Sequence, residues 1–223
     1  MNIQGFSDHK TGKEVIIMNT IITIGRQFGS GGREIGDKLA KAFDIKYYDR
    51  ELLARAAKES GFCEEIMMNH DERPTNSFLY NLVIDTYSFG YNSSSFVDMP
   101  ISQKVFLAQF DTIKKVAEEG PCVIVGRCAD YALESKNNVI NLFIYADEDF
   151  KIKRIMEQYD LDEGKARDMC IKKDKQRQSY YNYYTNRKWG KAESYDLCIN
   201  SAVLGIDGSV KLIKQYIEDF ESR

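Results

Sequence analysis

The chain of 223 residues lacks the features that mark several common protein classes. Its five cysteines form no C-x-x-C pair, so the sequence predicts neither a disulfide framework nor a zinc site. No apolar run approaches the ~18 residues of a membrane span, and the N-terminus lacks the charged-then-apolar order of a signal peptide. We therefore expect a cytoplasmic protein with no membrane partner.

The net charge and the two histidines argue against further kinds of partner and site. The formal net charge is only −3, so we expect no nucleic-acid partner, and any basic surface must be local. His9 and His70 have no neighbouring cluster of carboxylates or cysteines, so neither is predicted to bind a metal or to act as a base. The length suits one well-buried core with a small subdomain.

Residues 20–43 have the pattern of a phosphate-binding loop. The β-branched run at 21–24 predicts a buried parallel strand, and apolar residues at helical spacing from Glu34 to Phe43 predict a helix. The turn between them is rich in small residues, namely Gly25, Gly29, Ser30, Gly31 and Gly32. This order brings unpaired N–H groups and the positive end of a helix dipole together, which favours a nucleotide phosphate. A glycine turn without a ligand is the alternative.

This loop departs from the standard G-x-x-x-x-G-K-[ST] pattern, in which the Lys reaches the donor phosphates and the hydroxyl binds Mg²⁺. Gly32 occupies the Lys position, Glu34 the hydroxyl position, and Arg33 lies between them. We predict that Arg33 replaces the Lys, although a planar fork is not equivalent to a point charge. Mg²⁺ should then be held chiefly by phosphates and water, with Glu34 as the nearby carboxylate and no protein metal site.

The rest of the chain alternates short apolar runs with amphipathic segments. Strands are predicted at 45–48, 122–125, 139–145 and 195–200, and helices after Asp49 and at 77–87, 101–119, 147–175 and 207–220. About five parallel strands covered by helices on both faces account for this alternation. The looser region 61–100 predicts a small helical insertion or lid. Met18 precedes the first strand, so residues 1–17 are predicted to be a dispensable extension.

Charged residues gather at three further places: Asp49 and Arg55, Arg127 and Asp130, and Asp174 and Arg177. Phosphoryl transfer needs cations from different segments to meet around the phosphate oxygens, and these segments can meet. Arg127 directly follows a strand, where open parallel sheets place their ligands. For Asp174 and Arg177, a solvated charged face is an equal alternative.

Aromatic residues follow this charged segment, at Tyr180, Tyr181, Tyr183, Tyr184 and Trp189. The run predicts packing of a helix against the lid or against a partner subunit, as in a homodimer. Stacking on a nucleotide base is the alternative.

Five stretches carry a family resemblance: IGRQFGSGGREIG, YYDRELLARA, VIVGRCADY, DKQR and YDLCIN. Their order and separations resemble the cytidylate kinase-like branch of the nucleoside monophosphate kinases, from about Thr20 to the C-terminus. The resemblance implies an α/β fold, the three-layer P-loop kinase fold with a five-stranded parallel sheet of order 2-3-1-4-5. It also implies one domain over 18–223, with a helical acceptor-binding insertion at 61–100 and a lid at about 150–190.

The resemblance also implies site residues. Donor ATP phosphates would be bound by Gly25, Gly29, Ser30, Gly31, Gly32, Arg33 and Glu34, and the acceptor by Asp49, Arg55, Arg127, Asp130 and Asp174. The catalytic residues would be Arg33, Arg127 and Arg177. Cys128 and Cys170 replace an Asp and an Arg of the kinases, so Asp130 and Lys172 or Lys173 are the candidate substitutes.

The function so implied is an ATP- and Mg²⁺-dependent phosphotransferase that moves the γ-phosphoryl to a small acceptor. We expect a pyrimidine nucleoside monophosphate such as CMP or dCMP. A non-catalytic nucleotide-binding module and a kinase of a non-nucleotide acceptor remain the alternatives.

Overall fold

The computed structural model describes residues 18–72 and 99–223. Within these ranges the five strands are β1 (Ile21–Arg26), β2 (Lys46–Tyr48), β3 (Cys122–Val125), β4 (Val139–Tyr145) and β5 (Leu197–Asn200). All neighbouring strands pair in parallel, in the order β2-β3-β1-β4-β5. The predicted fold class and sheet order are therefore confirmed.

The helices of the same ranges are α1 (Gly32–Phe43), α2 (Arg50–Ser60), α3 (Glu64–His70), α4 (Ile101–Glu118), α5 (Ala129–Ala132), α6 (Glu148–Tyr159), α7 (Glu163–Thr185) and α8 (Ser201–Glu221). The charged region predicted as one helical stretch at 147–175 is two helices, because Asp160 adopts a left-handed conformation at the end of α6. The last helix begins at Ser201 rather than at 207, and it has a kink at Gly205.

Helices cover both faces of the sheet. On one face, Ile35 and Leu39 of α1 and Ile213 of α8 pack against the strands. On the other face, Leu52 of α2 and Ile113 of α4 do so. Every residue of β3 is buried, as expected for a parallel strand that is covered on both sides.

The topology brings three loops to one edge of the sheet. β1 lies between β3 and β4, and the chain leaves the carboxyl end of each strand toward the same edge. The glycine turn after β1, Asp49 after β2 and Arg127 after β3 therefore lie at neighbouring positions. This is the edge at which the sequence predicts a ligand.

The tyrosine run is part of the core. Tyr180, Tyr181 and Tyr184 of α7 are buried together with Phe106 of α4, and the Phe106 and Tyr184 rings stack at 3.9 Å. The predicted packing is observed within this chain: Tyr180 and Tyr184 pack against Phe106 of α4, and Tyr181 packs against Tyr195. A partner subunit stays a prediction. Tyr180 and Tyr181 also line a cavity at the edge of the sheet, so stacking on a base stays the alternative.

Some predictions fall outside the described residues: the extension 1–17, the helix at 77–87 and most of the insertion at 61–100. The division into insertion and lid stays a prediction. In the described ranges no helix has both the length and the apolar character needed to cross a bilayer.

Candidate active site

The turn between β1 and α1 has a backbone shape that requires glycine. Gly29 and Gly31 have φ of 81° and 78°, in the left-handed region. A Cβ on Gly31 would overlap the side chain of Ile206 at the start of α8. The buried Ser30 hydroxyl donates to the carbonyl oxygen of Gln27 at 2.8 Å. Neighbouring helices and internal hydrogen bonds therefore hold the turn in one conformation.

The same turn presents unpaired donors. In the part of the chain that the structure describes, nothing accepts a hydrogen bond from the backbone N–H of Gly29, Gly31 or Gly32. Gly32 begins α1, so the positive end of that helix dipole adds to these donors. This arrangement suits an anion, and the phosphate role of the turn stays a prediction.

Two cations of α6 lie beside the turn, and the sequence reading missed both. Lys151 Nζ lies 3.1 Å from Asp174 Oδ2, and Asp174 Oδ1 accepts a hydrogen bond from the Phe28 N–H at 2.6 Å. Arg154 Nη2 donates to Glu34 Oε2 at 2.9 Å. The three-residue spacing of Lys151 and Arg154 could have shown that they share a helix face. Asp174 thus contacts the donor loop, and its predicted acceptor role remains a prediction.

Arg33 contacts the predicted acceptor side. Its Nε lies 2.7 Å from Asp49 Oδ2, and its side chain is 57% exposed. Asp49 lies at the N-cap position before α2, yet its carboxylate caps no helix N–H. The structure therefore brings Arg33 together with Asp49, and the donor role of Arg33 stays a prediction.

Three arginines from three segments meet around one carboxylate. Glu72 Oε1 accepts from Arg26 Nη1 at 2.6 Å and from the Arg127 backbone N–H at 3.3 Å, and Glu72 Oε2 accepts from Arg177 Nε at 3.2 Å. The structure therefore brings together two of the predicted catalytic residues, Arg127 and Arg177. The sequence reading missed Arg26 and Glu72. Arg26 is the last residue of β1, and this position at the carboxyl end of a buried strand could have identified it as a site residue. Glu72 lies in a loop, where no periodic pattern in the sequence identifies a site residue.

Arg127 is buried, and every nitrogen of its guanidinium donates a hydrogen bond. Its guanidinium donates to both oxygens of Asp71, at 3.0 and 2.9 Å, to Asp49 Oδ1 at 3.4 Å and to the Val125 carbonyl at 3.1 Å. Its backbone has a positive φ of 55°, which is uncommon for a residue with a side chain. Such a conformation persists only where the surroundings fix it, and here two carboxylates and a carbonyl do so.

Burial and neighbouring charge oppose each other in this cluster. Burial alone would lower the pKa of Arg127, but the charges of Asp71 and Glu72 outweigh it and raise that pKa above its ordinary value. Burial would raise the pKa of Glu72, yet Arg26 and Arg177 bring it well below its usual range. Burial, and then the positive charge of Arg26, lower the pKa of Arg177. The positive charges of Arg26 and Arg177 thus oppose each other across the Glu72 carboxylate.

Asp130 lines a small cavity that Arg26, Arg127 and Arg177 also line. It accepts a hydrogen bond from the Tyr181 hydroxyl at 2.6 Å and lies 3.9 Å from Arg187. Burial raises the pKa of its carboxyl. Cys128, at the position where the kinases carry an Asp, is buried beside it and has a raised pKa for the same reason. Asp130 thus lines the same cavity as Arg127 while its carboxylate is bound by Tyr181, and its acceptor role stays a prediction.

Arg55 lies apart from this cluster. It pairs with Glu59 Oε1 at 2.7 Å and with Glu119 Oε1 at 2.6 Å. Among the described residues it makes no hydrogen bond or ion pair with the arginine cluster. The structure does not bring Arg55 together with Arg127, and its acceptor role stays a prediction.

Solved structures with kinase names share the overall fold. A shikimate kinase from Bacteroides thetaiotaomicron is 13% identical, with a TM-score of 0.51 over 89% of this chain and 98% of that chain. A shikimate kinase from Acinetobacter baumannii in complex with shikimate is 10% identical, with a TM-score of 0.50 over 93% of this chain and 97% of that chain. At these identities the likeness shows the fold alone.

Two further comparisons show similarity in sequence over most of the chain. An uncharacterized protein from Eubacterium ventriosum ATCC 27560 is 34% identical, with a TM-score of 0.68 over 89% of this chain and 98% of that chain. A search of curated proteins found no significant match. The model of the cytidylate kinase-like family matches residues 21–203, which is most of the described chain. On this match, together with the sheet order and the glycine turn, the chain belongs to the cytidylate kinase-like family.

Proposed function

We propose that this protein is an ATP-dependent phosphotransferase that moves the γ-phosphoryl to a pyrimidine nucleoside monophosphate. Family membership supports the phosphotransferase class. One observation carries the assignment of the site: Arg26, Arg127 and Arg177, from three segments, converge beside a glycine turn with unpaired N–H groups. Phosphoryl transfer consists mostly of such positioning and neutralisation of charge.

The donor phosphates would lie on the glycine turn. Gly29, Gly31 and Gly32 offer backbone donors there, and the N-terminus of α1 adds positive potential. Arg33 would add the charge that the standard loop takes from its Lys, and to do so its guanidinium has to leave Asp49. Arg154 is already beside the turn and would have to leave Glu34.

Mg²⁺ would be held by the donor phosphates and by water, where it neutralises phosphate charge. The two carboxylates next to the turn are engaged, Glu34 with Arg154 and Asp174 with Lys151 and the Phe28 N–H. Among the described residues no group of three or more metal-binding side chains exists. These residues fit Mg²⁺, because that ion usually keeps several waters and binds through substrate phosphates with few protein ligands.

The acceptor would lie on the side of β2 and β3. Arg177 can bind the oxygens of its phosphate through its guanidinium, and Arg127 can do so through its backbone N–H, since the Arg127 guanidinium is bound to Asp71 and Asp49. The carboxylates of Asp49 and Asp130 can accept hydrogen bonds, as from the exocyclic amino group of a cytosine. Both ends of a pyrimidine monophosphate thus have complementary groups at this edge of the sheet.

Thermal-shift measurements with nucleotides, followed by ATP turnover against a panel of acceptors, test this proposal. We expect ATP to raise Tm and the highest turnover to occur with a pyrimidine monophosphate. Binding of ATP without turnover on any acceptor would instead establish a non-catalytic module, a function that the missing Lys and hydroxyl of the turn favour. Turnover on a non-nucleotide alone would reassign the acceptor.

A further inference from the structure

We propose that the Glu72 carboxylate occupies the place of an anionic substrate group, and that the phosphate of a bound ligand must displace it. This inference rests on the proposed function, since it concerns the same arginine cluster. Glu72 would then compete with the phosphate of the ligand for the hydrogen bonds of the three arginines. These donors would become available only to a ligand group with more negative charge than the Glu72 carboxylate.

The donors around Glu72 are those that a phosphoryl group would receive. Its two oxygens accept four hydrogen bonds, from Arg26 Nη1 at 2.6 Å, Arg26 Nη2 at 3.4 Å, the Arg127 N–H at 3.3 Å and Arg177 Nε at 3.2 Å. Guanidinium groups bind carboxylates and phosphates with the same forked geometry. A carboxylate at this position is therefore a chemical substitute for a phosphate.

Glu72 leaves no room for a second anion. The cavity that the three arginines share has a volume of about 20 Å³, enough for about one water molecule. An added Cβ on Gly126 would overlap both the Arg26 guanidinium and the Glu72 carboxylate, so the packing is tight on that side too. A phosphate can reach the arginines only if the Glu72 side chain moves out.

Charge and backbone conformation both favour the exchange. The positive charge of Arg26 acts against that of Arg177, and Glu72 supplies one negative charge to hold them together, whereas a phosphate monoester supplies up to about two. Glu72 has a φ of 49°, a conformation that is uncommon for a residue with a side chain and persists only where contacts hold it, so loss of its contacts to the arginines would release the backbone. Asp71 would still hold Arg127 through two hydrogen bonds, so the cluster would keep a carboxylate.

Binding of inorganic phosphate, measured by calorimetry, tests the proposal without any need for turnover. The variant is Glu72→Gln, which keeps the shape and removes the charge. The matched control is Glu119→Gln, because Glu119 also bridges two cations, Arg55 and Lys46, but at the surface. We expect phosphate to bind Glu72→Gln about tenfold more tightly than it binds wild type, since an occupied site lowers apparent affinity. Glu119→Gln should be unchanged.

Unchanged or weaker phosphate binding by Glu72→Gln would overturn the proposal and make Glu72 a residue that positions the arginines. An equal gain in Glu119→Gln would also overturn it, because net charge would then be the cause. If Glu72→Gln does not fold, Glu72→Asp replaces it; its shorter side chain cannot reach Arg26 and Arg177 together, and tighter phosphate binding is again expected.

The two proposals can fail separately. If wild type turns over no acceptor while Glu72→Gln still gains phosphate affinity, the proposed function fails and the role of Glu72 stands. If wild type is an active kinase and Glu72→Gln gains no phosphate affinity, the proposed function stands and the role of Glu72 fails.

Discussion

The glycine turn and the arginine cluster differ in the donors that they would offer to the phosphates of the proposed substrates. The turn offers backbone N–H groups, and the described chain places no acceptor on those of Gly29, Gly31 and Gly32. The cluster offers guanidinium groups, each of which already binds a carboxylate. Backbone donors are fixed by the turn itself, whereas long cationic side chains are held in place by counter-charges. The comparison predicts a donor side sensitive to backbone shape and an acceptor side sensitive to charge.

The largest effect is expected at the cluster, from Arg177→Ala. Turnover should fall by ~10³-fold with a much smaller loss of ATP affinity, because a cation at the transferring phosphoryl acts chiefly in the transition state. Steady-state kinetics and calorimetry with ATP measure the two quantities. Arg167→Ala is the matched control, an exposed arginine of the same helix that pairs with Glu148 and Glu163. Equal losses of turnover and ATP affinity would contradict the division into two sides.

Arg33→Ala tests whether Arg33 acts on the donor phosphates although its guanidinium contacts Asp49 of the acceptor side. We expect turnover to fall by ~10²-fold, as when one donor to a developing negative charge is removed, and ATP affinity to fall less. Kinetics and ATP calorimetry again give both values. Lys41→Ala, a surface change on the same helix where Lys41 pairs with Asp37, should alter neither. Normal turnover in Arg33→Ala would leave Arg154 as the candidate cation at the donor phosphates.

Gly31→Ala tests the backbone side of the comparison. We expect about tenfold weaker ATP binding, a loss of ~1.4 kcal/mol, because a Cβ at this φ of 78° would overlap Ile206 and displace the turn. Gly61→Ala is the matched control: Gly61 has nearly the same φ, 77°, but nothing lies within 4 Å of an added Cβ. Calorimetry with ATP should show a loss for Gly31→Ala alone. Equal ATP binding by the two variants would mean that the shape of the turn does not matter.

Arg55→Ala tests whether the acceptor site extends to Arg55 of α2. We expect at most a few-fold increase in the KM of the acceptor, smaller than that of Arg127→Lys, because Arg55 is bound to Glu59 and Glu119. Arg127→Lys keeps the buried charge but loses the paired hydrogen bonds to Asp71. Acceptor titrations of both variants supply the comparison. A larger effect from Arg55 would extend the acceptor site to α2.

Removal of residues 1–17 should have the smallest effect on either side. We expect unchanged Tm and unchanged ATP binding, because the first core strand begins after Met18. Differential scanning fluorimetry of the full and shortened chains provides the measurement. A loss of stability beyond about 2 kcal/mol would make the segment part of the fold.

Local patterns were enough to predict a parallel sheet of about five strands with helices on both faces. The β-branched run, the glycines and the following helical spacing predicted β1, the turn and α1, because burial on a strand or helix leaves a period in the sequence. The order of the strands came from the resemblance carried by five short stretches, and the structure agrees with it. Boundaries differed where a single backbone angle decides them, as at Asp160.

Tertiary structure decided the partners of the charged residues. Glu72 meets Arg26 and Arg177, which lie 46 and 105 residues away in the chain, and Arg33 meets Asp49. A charged side chain has no periodic signature of its partner, since the pairing depends on how distant elements are placed. The sequence by itself thus determined the strand, the glycine turn and the helix that we propose to bind phosphate. Only the folded chain decided that the arginines already have a carboxylate between them, because long-range contacts bring Glu72 there.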